Sequence, residues 1–326
     1  MYSGISGMKN FQTKLDVIGN NIANVNTFGF KKGRVVFKDM MSQTISGASA
    51  PGQSRGGTNP KQVGLGSQLA VIDTIHTGGS TQTTNRILDL AISGDGFFQV
   101  TTNPSQTAAY TADQAPSYTR AGNFYLDRDG YLVTSDGMYV VGFSSYSDVD
   151  HDGDTTTPNI YESPKLEDYQ KNAVEYDFSA TPPVVKANGT ITDGAKSYAV
   201  EYKPIKVPTN AKSMSIGKDG TLSYVDESGV LRWAGKLVLS KFPNTDGLEK
   251  VGGNLYQSTS NSGEQVLNFA GESGLGTTES GFLEMSNVDL SEEFTEMITA
   301  QRGFQANTRI ITTSDEILQE LVNLKR

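Results

Sequence analysis

The chain has 326 residues, enough for two or three domains, and a formal net charge of -9 at pH 7. The acidic balance argues against nucleic-acid binding, because a protein that binds nucleic acid needs a basic surface to displace counterions. The chain contains no cysteine, which excludes disulfides, thiolate metal sites and cysteine catalysis.

The hydrophobic pattern also bears on membranes and export. No run of 18 apolar residues occurs, so we expect no insertion into a membrane. The N-terminus lacks the basic segment and the continuous apolar core of a cleavable signal peptide. If the protein leaves the cell, we therefore expect a route that uses no cleaved signal.

The first predicted element is an amphipathic helix from about Ser3 to Asn24. Asparagines crowd its C-terminal end, and Gly29 follows, which together form a strong helix stop signal. The apolar residues of this helix recur at spacings of three and four or their sum, at Ile5, Met8, Leu15, Ile18, Ile22 and Val25.

The segment 30–84 is predicted to be irregular. Its central part, 47–66, is rich in Gly, Ser and Pro and shows neither helical nor strand periodicity. The segment is nevertheless too apolar for a simple flexible linker, so we interpret it as a wedge ordered by packing against neighbours. The apolar residues in question are Val35, Phe37, Met40, Met41, Leu65, Leu69, Val71 and Ile75.

A region rich in β-strands begins at Leu88, and its clearest signal is a hairpin between Tyr118 and Phe143. The turn Asp127-Arg128-Asp129-Gly130 separates aromatic and β-branched runs, as a meander requires. Residues 144–203 are poorer in aliphatic side chains and predict a small inserted outer β domain. The main β domain, similar to a barrel or a sandwich, is therefore predicted to comprise 85–143 and 204–284.

The last predicted element is a long helix in 285–326 that begins near Asn287, with Asp289 or Ser291 as its cap. Roughly 35 helical residues would span about 50 Å. Polar residues at Gln301, Thr308 and Asp315 interrupt its heptad pattern and would fix the alignment of a partner helix. The apolar heptad positions are Leu290, Phe294, Met297, Phe304, Ile311, Leu318 and Val322.

These elements predict an α+β fold in which helices from residues 1–29 and 285–326 pair as a coiled coil outside a mainly β middle. Neither terminal helix has much neighbouring sequence to pack against, so each needs the other or further copies of the chain. This pattern is typical of a subunit that polymerises.

The sequence offers no catalytic site, and we do not expect an enzyme. The two histidines, His76 and His151, lie in different regions, and no nucleophile elbow is present. Gly94-Asp95-Gly96 lacks the third glycine and the following helix of a nucleotide-binding loop, so it predicts a hairpin turn. We therefore expect no organic cofactor.

One acidic cluster has the spacing of a calcium loop. Carboxylates alternate along Asp148, Asp150, Asp152 and Asp154, and Gly153 would allow a sharp turn around the ion. Position 12 of the loop is Asn159 instead of a bidentate glutamate, although Glu162 lies nearby. Two interpretations remain open, a Ca²⁺ site and a solvated acidic turn.

Several segments resemble one known family. Residues 16–32 resemble the N-terminal motif of the bacterial flagellar rod and hook proteins, and residues 286–307 resemble the C-terminal motif. Residues 59–66, 88–100 and 118–143 resemble the core of the hook protein. Members usually begin a few residues before the equivalent of Tyr2-Ser3-Gly4, so the native start can lie upstream of Met1. The N-terminal motif residues are Asn20, Asn21, Asn24, Thr27, Gly29 and Phe30.

This resemblance implies a role for each region. The paired terminal helices would form an inner coiled-coil tube around a channel, the segment 30–84 would wedge between neighbours, and the insertion would lie outermost. The polymer would be a curved universal joint that transmits torque from the rod to the filament. The residues expected at the interface between subunits of the inner tube are Ile5, Met8, Phe11, Leu15, Ile18, Ile22, Leu290, Phe294, Met297, Ile298, Phe304, Ile311 and Leu318.

The resemblance also implies partners and a location. Besides other copies of the chain, these are the distal rod protein, the hook cap, the hook–filament junction protein, and the flagellar type III export apparatus with its hook-length ruler. The location would be the extracellular hook or the basal body of the flagellum.

Alternatives remain open beside the hook. A distal rod subunit would polymerise into a straight shaft. A secreted β-rich binding module, or adhesin, would be a monomer with a defined ligand, and it leaves the matched terminal helices unexplained. An enzyme has no site residues to name.

Overall fold

The computed structural model describes residues 2–51, 56–103, 116–145, 147–149, 160–171, 176–178, 184–185, 190–193 and 196–324. The chain divides into two compact units. The first, which we call the helical unit, comprises Met1–Asn26, Lys31–His76 and Val288–Arg326. The second, the β unit, comprises Thr27–Phe30 and Thr77–Asn287.

Two long helices dominate the helical unit, α1 (Tyr2–Ala23) and α3 (Leu290–Leu324). Both were predicted. The cap of α3 is Asp289, whose carboxylate accepts hydrogen bonds from the backbone N–H groups of Ser291 at 2.8 Å and Glu292 at 3.4 Å. Glutamates at 292 and 293 occupy the first turn, where the helix dipole favours negative charge.

The two helices pack against each other in antiparallel orientation. A Cβ atom added at Gly303 on α3 would lie 2.6 Å from the ring of Phe11 on α1. One turn further along α3, the side chain of Asn307 lies against Gly7. Small residues thus let the helices approach closely. Whether the pair supercoils as a coiled coil stays a prediction.

The helical unit also contains strands where the sequence predicts an irregular segment. β1 (Gly33–Asp39) pairs with β4 (Ser67–Thr74), and β2 (Ser42–Ser46) pairs with β3 (Lys61–Gly64), each antiparallel. Together they form a hairpin-like arm. Most of its side chains beyond residue 40 are exposed, so no buried face imposes the alternating pattern by which strands are recognised in a sequence.

The β unit is built around an antiparallel sheet that, among the described residues, contains twelve strands. Its main path runs β19-β20-β21-β11-β7-β8-β23-β22, and β9, β10, β18 and β24 attach to it. The strands of this sheet are β7 (Phe97–Thr101), β8 (Ser117–Thr119), β9 (Tyr125–Leu126), β10 (Leu132–Val133), β11 (Tyr139–Ser144), β18 (Glu201–Pro204), β19 (Ser213–Ile216), β20 (Thr221–Val225), β21 (Leu231–Lys241), β22 (Glu249–Gly252), β23 (Leu255–Gln257) and β24 (Val266–Phe269).

Two smaller pairs complete the main part of this unit. β5 (Thr81–Thr83) pairs with β26 (Phe282–Glu284), and β6 (Leu90–Ser93) pairs with β25 (Thr277–Ser280). The predicted hairpin turn is confirmed, because β9 pairs with β10 and the N–H of Gly130 donates to the carbonyl of Asp127 at 3.0 Å. Gly94–Gly96 lies between β6 and β7, but the hairpin predicted there is wrong, because β6 pairs with β25 and β7 pairs with β8, β11 and β21.

The region 144–203 leaves the sheet at the end of β11 and returns at β18. These two strands pair with each other, from Val141 opposite Pro204 to Ser144 opposite Glu201. Its aromatic side chains form part of a second core, in which Trp233 stacks on Tyr169 at 4.2 Å. The domain boundaries predicted for this region stay a prediction. Its described elements are β12 (Ser147–Val149), β13 (Ile160–Glu162), α2 (Leu166–Lys171), β14 (Tyr176–Asp177), β15 (Val184–Val185), β16 (Thr190–Asp193) and β17 (Lys196–Ala199).

Candidate self-assembly interface

The candidate interface residues on α1 are all at least partly buried within the helical unit. Ile18 is buried, with 3% of its surface exposed. The other five, Ile5, Met8, Phe11, Leu15 and Ile22, are half-buried.

The candidate residues on α3 fall into two groups. Met297, Phe304 and Ile311 recur every seven residues and are half-buried, and the side chain of Ile311 lies 3.8 Å from the Cβ position of Gly4 on α1. The remaining four do not join them. They are exposed, at 39% for Leu290, 49% for Phe294, 52% for Ile298 and 48% for Leu318.

A second set of exposed apolar residues on α3 was missed by the sequence reasoning. We call it the α3 flank, and it consists of Ile310, Ile317, Leu321 and Leu324, which are 52%, 54%, 57% and 82% exposed. Their spacings of seven, four and three place them along one side of the helix. That spacing was the available signal, but the choice of a different heptad register concealed it.

The polar residue Asn21 connects the two helices to the arm. Its side-chain amide donates to the carbonyl of Gly33 at 2.9 Å, and its side-chain oxygen accepts from the N–H of the same residue at 2.9 Å. The amide also donates to the Glu293 carboxylate at 3.2 Å. Asn21 and Glu293 are 2% and 5% exposed, so α1, α3 and the start of β1 meet at one buried polar group.

The protonation of Glu293 is shifted by this environment. Burial raises the pKa of its carboxyl above the ordinary value, while the hydrogen bond from Asn21 and the positive charge of Lys32 oppose the shift. Two ion pairs flank the carboxyl, Lys32 with Glu292 at 2.8 Å and Lys14 with Glu296 at 3.1 Å. These groups line a cavity of about 320 Å³ that contains both positive and negative side chains.

The family-motif residues are divided between the two units. Asn20 lies in the last turn of α1 and Asn24 directly follows the helix, and the side chain of Asn24 donates to the carbonyl of Asn20 at 2.9 Å. Thr27, Gly29 and Phe30 belong to the β unit. Gly29 has a φ of +70°, and a Cβ atom there would lie 2.6 Å from the backbone nitrogen of Ala121. Only glycine fits both constraints.

Arg120, whose backbone lies beside Gly29, forms a buried ion pair in the β unit. The guanidinium of Arg120 lies 3.3 Å from the carboxylate of Glu284, and the two side chains are 4% and 2% exposed. Arg120 also donates to the carbonyls of Ile92 at 3.2 Å and Gly94 at 2.6 Å. Burial lowers the pKa of the Arg120 guanidinium from its ordinary value, and the negative charge of Glu284 opposes that shift.

The acidic cluster predicted as a calcium site falls largely outside the described residues. Asp150, Asp152 and Asp154 are not among them, and of Asp148 only the backbone, in β12, is described. Among the described residues, no group of three or more His, Asp or Glu side chains could hold a metal ion. The calcium site therefore stays a prediction. No helix in the described part of the chain is long and apolar enough to cross a membrane.

Three sequence models match the chain in succession. Residues 1–31 match the flagella basal body rod protein family, residues 91–224 match the D1 domain of the flagellar hook protein FlgE/F/G family, and residues 279–324 match the C-terminal family of the flagellar basal body rod FlgEFG proteins. The matches include both terminal motifs noted in the sequence.

Curated relatives match over the full length. The chain is 51% identical, over 327 aligned positions, to the flagellar basal-body rod protein FlgG of Bacillus subtilis (strain 168), which covers 100% of this chain and 98% of that protein. It is 34% identical, over 447 aligned positions, to the flagellar hook protein FlgE of Borreliella burgdorferi, with 100% and 99% covered. It is 32% identical to the rod protein FlgG of the same organism, with 100% and 98% covered. The chain belongs to the flagellar rod and hook protein family of structural subunits.

Proposed function

We propose that the chain is the subunit of a flagellar hook, a curved helical tube that acts as a universal joint between rod and filament. In this proposal α1 and α3 of many copies line the inner tube, and the β units form the outer shell. A contact between two different surfaces of the chain, repeated with a rotation that does not close, generates such a helix of subunits.

The observation that carries the proposal is the unequal length of the two helices. α1 has 22 residues and α3 has 35, so at 1.5 Å per residue α3 is longer by roughly 20 Å. The α3 flank is exposed although it is strongly apolar. A contiguous exposed apolar surface of this kind is typical of a protein–protein contact, and the natural occupant is a helix of a neighbouring copy.

The arm formed by β1 to β4 supports the same proposal. Two-stranded hairpins are marginally stable in water unless they pack against something. The distal part of this arm nevertheless presents several apolar side chains to solvent: Met41 at 86%, Ile45 at 70%, Val63 at 52% and Leu65 at 45% exposed. We propose that the arm becomes ordered by packing between neighbouring subunits, which is the role that the family resemblance implies for the segment 30–84.

The further partners of the proposal follow from the resemblance. They are the distal rod protein on the cell side, the hook cap and the hook–filament junction protein on the distal side, and the type III export apparatus with its hook-length ruler. The subunit would be exported without a cleaved signal and would function outside the cell.

A distal rod subunit is the second candidate, and one observation favours it. The relative with 51% identity is named a basal-body rod protein and aligns over 327 positions, close to the length of this chain. The hook protein of Borreliella burgdorferi aligns over 447 positions, so it is a longer protein. The region 144–203 does not separate the two candidates, because the alignment with that rod protein covers 100% of this chain.

Assembly is tested by comparing the full chain with a variant that lacks residues 1–29 and 285–326. We expect concentrated full-length protein to sediment as long polymers and the truncated protein to remain monomeric. Both samples are also measured with a purified cap protein, because nucleation of the polymer can require one. Monomeric behaviour of the full chain, with and without the cap, would overturn the proposal.

A further inference from the structure

Three segments that are distant in sequence meet at Glu284 in the β unit. Its backbone carbonyl accepts a hydrogen bond from the N–H of Gly29 at 2.8 Å. Its carboxylate accepts a second from the N–H of Gly79 at 3.0 Å and is ion-paired with Arg120 at 3.3 Å. We call this group of contacts the junction.

Further contacts hold the same segments together. β5 pairs with β26 along Thr81–Thr83, and a Cβ atom at Gly79 would lie 2.0 Å from the carbonyl oxygen of Met285. The side chain of Asn287 donates to the hydroxyl of Thr77 at 3.0 Å. The backbone before β5 and the backbone after β26 therefore run side by side.

The motif segment Thr27–Phe30 is docked at the junction. The side chain of Asn254 donates to the carbonyl of Phe28 at 3.1 Å, and the ammonium of Lys250 lies 4.9 Å from the ring centre of Phe30. Gly29 fits against the backbone of Ala121 only because it lacks a Cβ atom.

The chain enters and leaves the β unit at these segments. It passes into the helical unit after Phe30, returns at Thr77 and leaves again after Asn287. α1 ends at Ala23 and α3 begins at Leu290. The C-terminal end of α1 and the N-terminal end of α3 are thus each only a few residues from the junction.

We propose that the junction holds the adjoining ends of α1 and α3 together in the free subunit, so that the helices pair from these ends when a neighbour binds. The first contact between α1 and α3 to form would be the hydrogen bond between Asn21 and Glu293, which lies nearer to the junction in sequence than the ion pair of Lys14 with Glu296. The inference concerns the free subunit and does not require that the polymer is a hook.

The expected effect follows from the length of chain that must close. With Thr27–Phe30 docked, about 17 residues separate Asn21 from Glu293 through the junction; with it undocked, the path runs through the arm and contains about 60. Loop-closure probability falls with about the 3/2 power of length, so undocking should slow helix pairing on the order of 5- to 10-fold.

The test uses the absence of natural cysteines. Spin labels on Asn26→Cys and Val288→Cys report the distance between the two helix ends in dilute monomer by pulsed electron paramagnetic resonance. We expect a single narrow distance distribution in this background, and a broad distribution after addition of Gly29→Ala. A broad distribution already without Gly29→Ala would overturn the inference.

A matched control separates docking from backbone strain. Gly229 has a φ of +81° but nothing within 4 Å of its Cβ position, so Gly229→Ala imposes similar strain without a collision. It should leave the distance distribution narrow. Asn254→Gly, which removes the hydrogen bond to Phe28 and keeps a residue suited to the φ of +59°, should broaden it if Gly29→Ala folds poorly. A narrow distribution in both Gly29→Ala and Asn254→Gly would contradict the inference.

Polymer growth gives a second readout. If the parent chain polymerises, polymers of Gly29→Ala should elongate 5- to 10-fold more slowly than polymers of the parent chain at equal concentration. Polymers of Gly229→Ala should elongate at the parent rate. Equal rates would contradict the inference. Absence of polymer from the parent chain would instead count against the proposed function, and the label distances in monomer would still decide on the junction.

Discussion

The amide of Asn21 on α1 donates a hydrogen bond of 3.2 Å to the carboxylate of Glu293 on α3, across 272 positions of the sequence. The same amide group is bonded twice to the backbone of Gly33. One side chain therefore sets the relative positions of both terminal helices and the root of the arm. Both N–H donors and the oxygen of this buried amide are paired, which favours one arrangement over alternatives, because a shift would leave a buried donor or acceptor unpaired.

The first prediction concerns the charge of Glu293. Since burial raises the pKa of this carboxyl, the folded helical unit binds a proton more readily than the unfolded chain does. The stability contributed by protonation is complete below the ordinary pKa of 4.5. It is lost as the pH rises through the raised pKa. Glu293→Gln keeps an acceptor for Asn21 without the charge, so at pH 7 we expect it to stabilise assembled protein by about 1 kcal/mol.

The measurement is the temperature of thermal depolymerisation, followed by light scattering between pH 4 and pH 8. The variant should melt above the parent at pH 7, and the two should converge toward pH 4. Glu249→Gln, at an exposed position in the β unit, is the control for a simple change of net charge. A parent that gains stability relative to Glu293→Gln as the pH rises would show that the carboxylate is favoured in the folded state.

The second prediction concerns the buried pair of Arg120 and Glu284. Truncation of one partner leaves the other charged and buried, which typically costs about 3–5 kcal/mol. We therefore expect Arg120→Ala to lower the free energy of unfolding of the monomer by this amount. Denaturant unfolding followed by the fluorescence of Trp233, the single tryptophan and fully buried, measures it.

A double variant tests whether the cost comes from the orphaned charge. Arg120→Met with Glu284→Gln removes both charges and keeps an oxygen that can accept from Gly79. It should recover most of the lost stability, because well-packed neutral replacements of buried pairs are often close to neutral. A double variant as unstable as Arg120→Ala would mean that the hydrogen bonds from Arg120 to the carbonyls of Ile92 and Gly94 matter more than the charge pairing.

The third prediction concerns the α3 flank. Ile317→Asp or Leu321→Asp places a charge in the proposed contact between copies, where a buried unpaired charge is strongly unfavourable. Each should raise the concentration needed for polymerisation at least 10-fold and leave the unfolding of monomer unchanged. Gln305→Asp, an exposed polar position on the same helix, is the control. Polymerisation of Ile317→Asp at the same concentration as Gln305→Asp would exclude the flank from the interface.

The fourth prediction concerns Ca²⁺. If the carboxylates of residues 148–154 bind the ion, titration calorimetry should show saturable binding in the parent chain and none in a variant with Asp150→Asn and Asp152→Asn. Millimolar Ca²⁺ should then raise the melting temperature of the parent alone. An unchanged melting temperature with excess Ca²⁺ or with chelator would leave the solvated acidic turn as the interpretation.

Parts of this fold could be predicted from the sequence because the signals are local. Helix periodicity, the cap at Asp289 and the Asp-Gly turn after Leu126 depend only on neighbouring residues, and each occurs in the structure. The arm was missed as a set of strands because its side chains are exposed and carry no alternating pattern. Alternating apolar and polar residues are required only where one face of a strand is buried, so an exposed strand has no such pattern.

The candidate interface shows a different limit. A heptad pattern indicates which side of a helix is apolar. It does not indicate which of those apolar residues are covered by another helix of the same chain. Met297, Phe304 and Ile311 are half-buried, while Phe294 and Ile298 are exposed. Since α1 runs alongside this part of α3, as the contact of Asn21 with Glu293 shows, the exposed pair lies on a side of α3 that α1 does not cover. The contacts of Asn21 with Glu293 and of Arg120 with Glu284 join distant segments, and no spacing in the sequence could reveal them.

Electron cryomicroscopy of polymer grown from the full chain, with the cap protein added if nucleation requires it, would show how the subunits pack and whether the tube curves. We expect hollow tubes that curve, with α1 and α3 lining the channel and the α3 flank covered by a neighbouring copy. Straight tubes with the same inner helices would support the rod instead of the hook. Tubes whose channel is lined by the β units, with the α3 flank exposed to solvent, would overturn the proposed assembly.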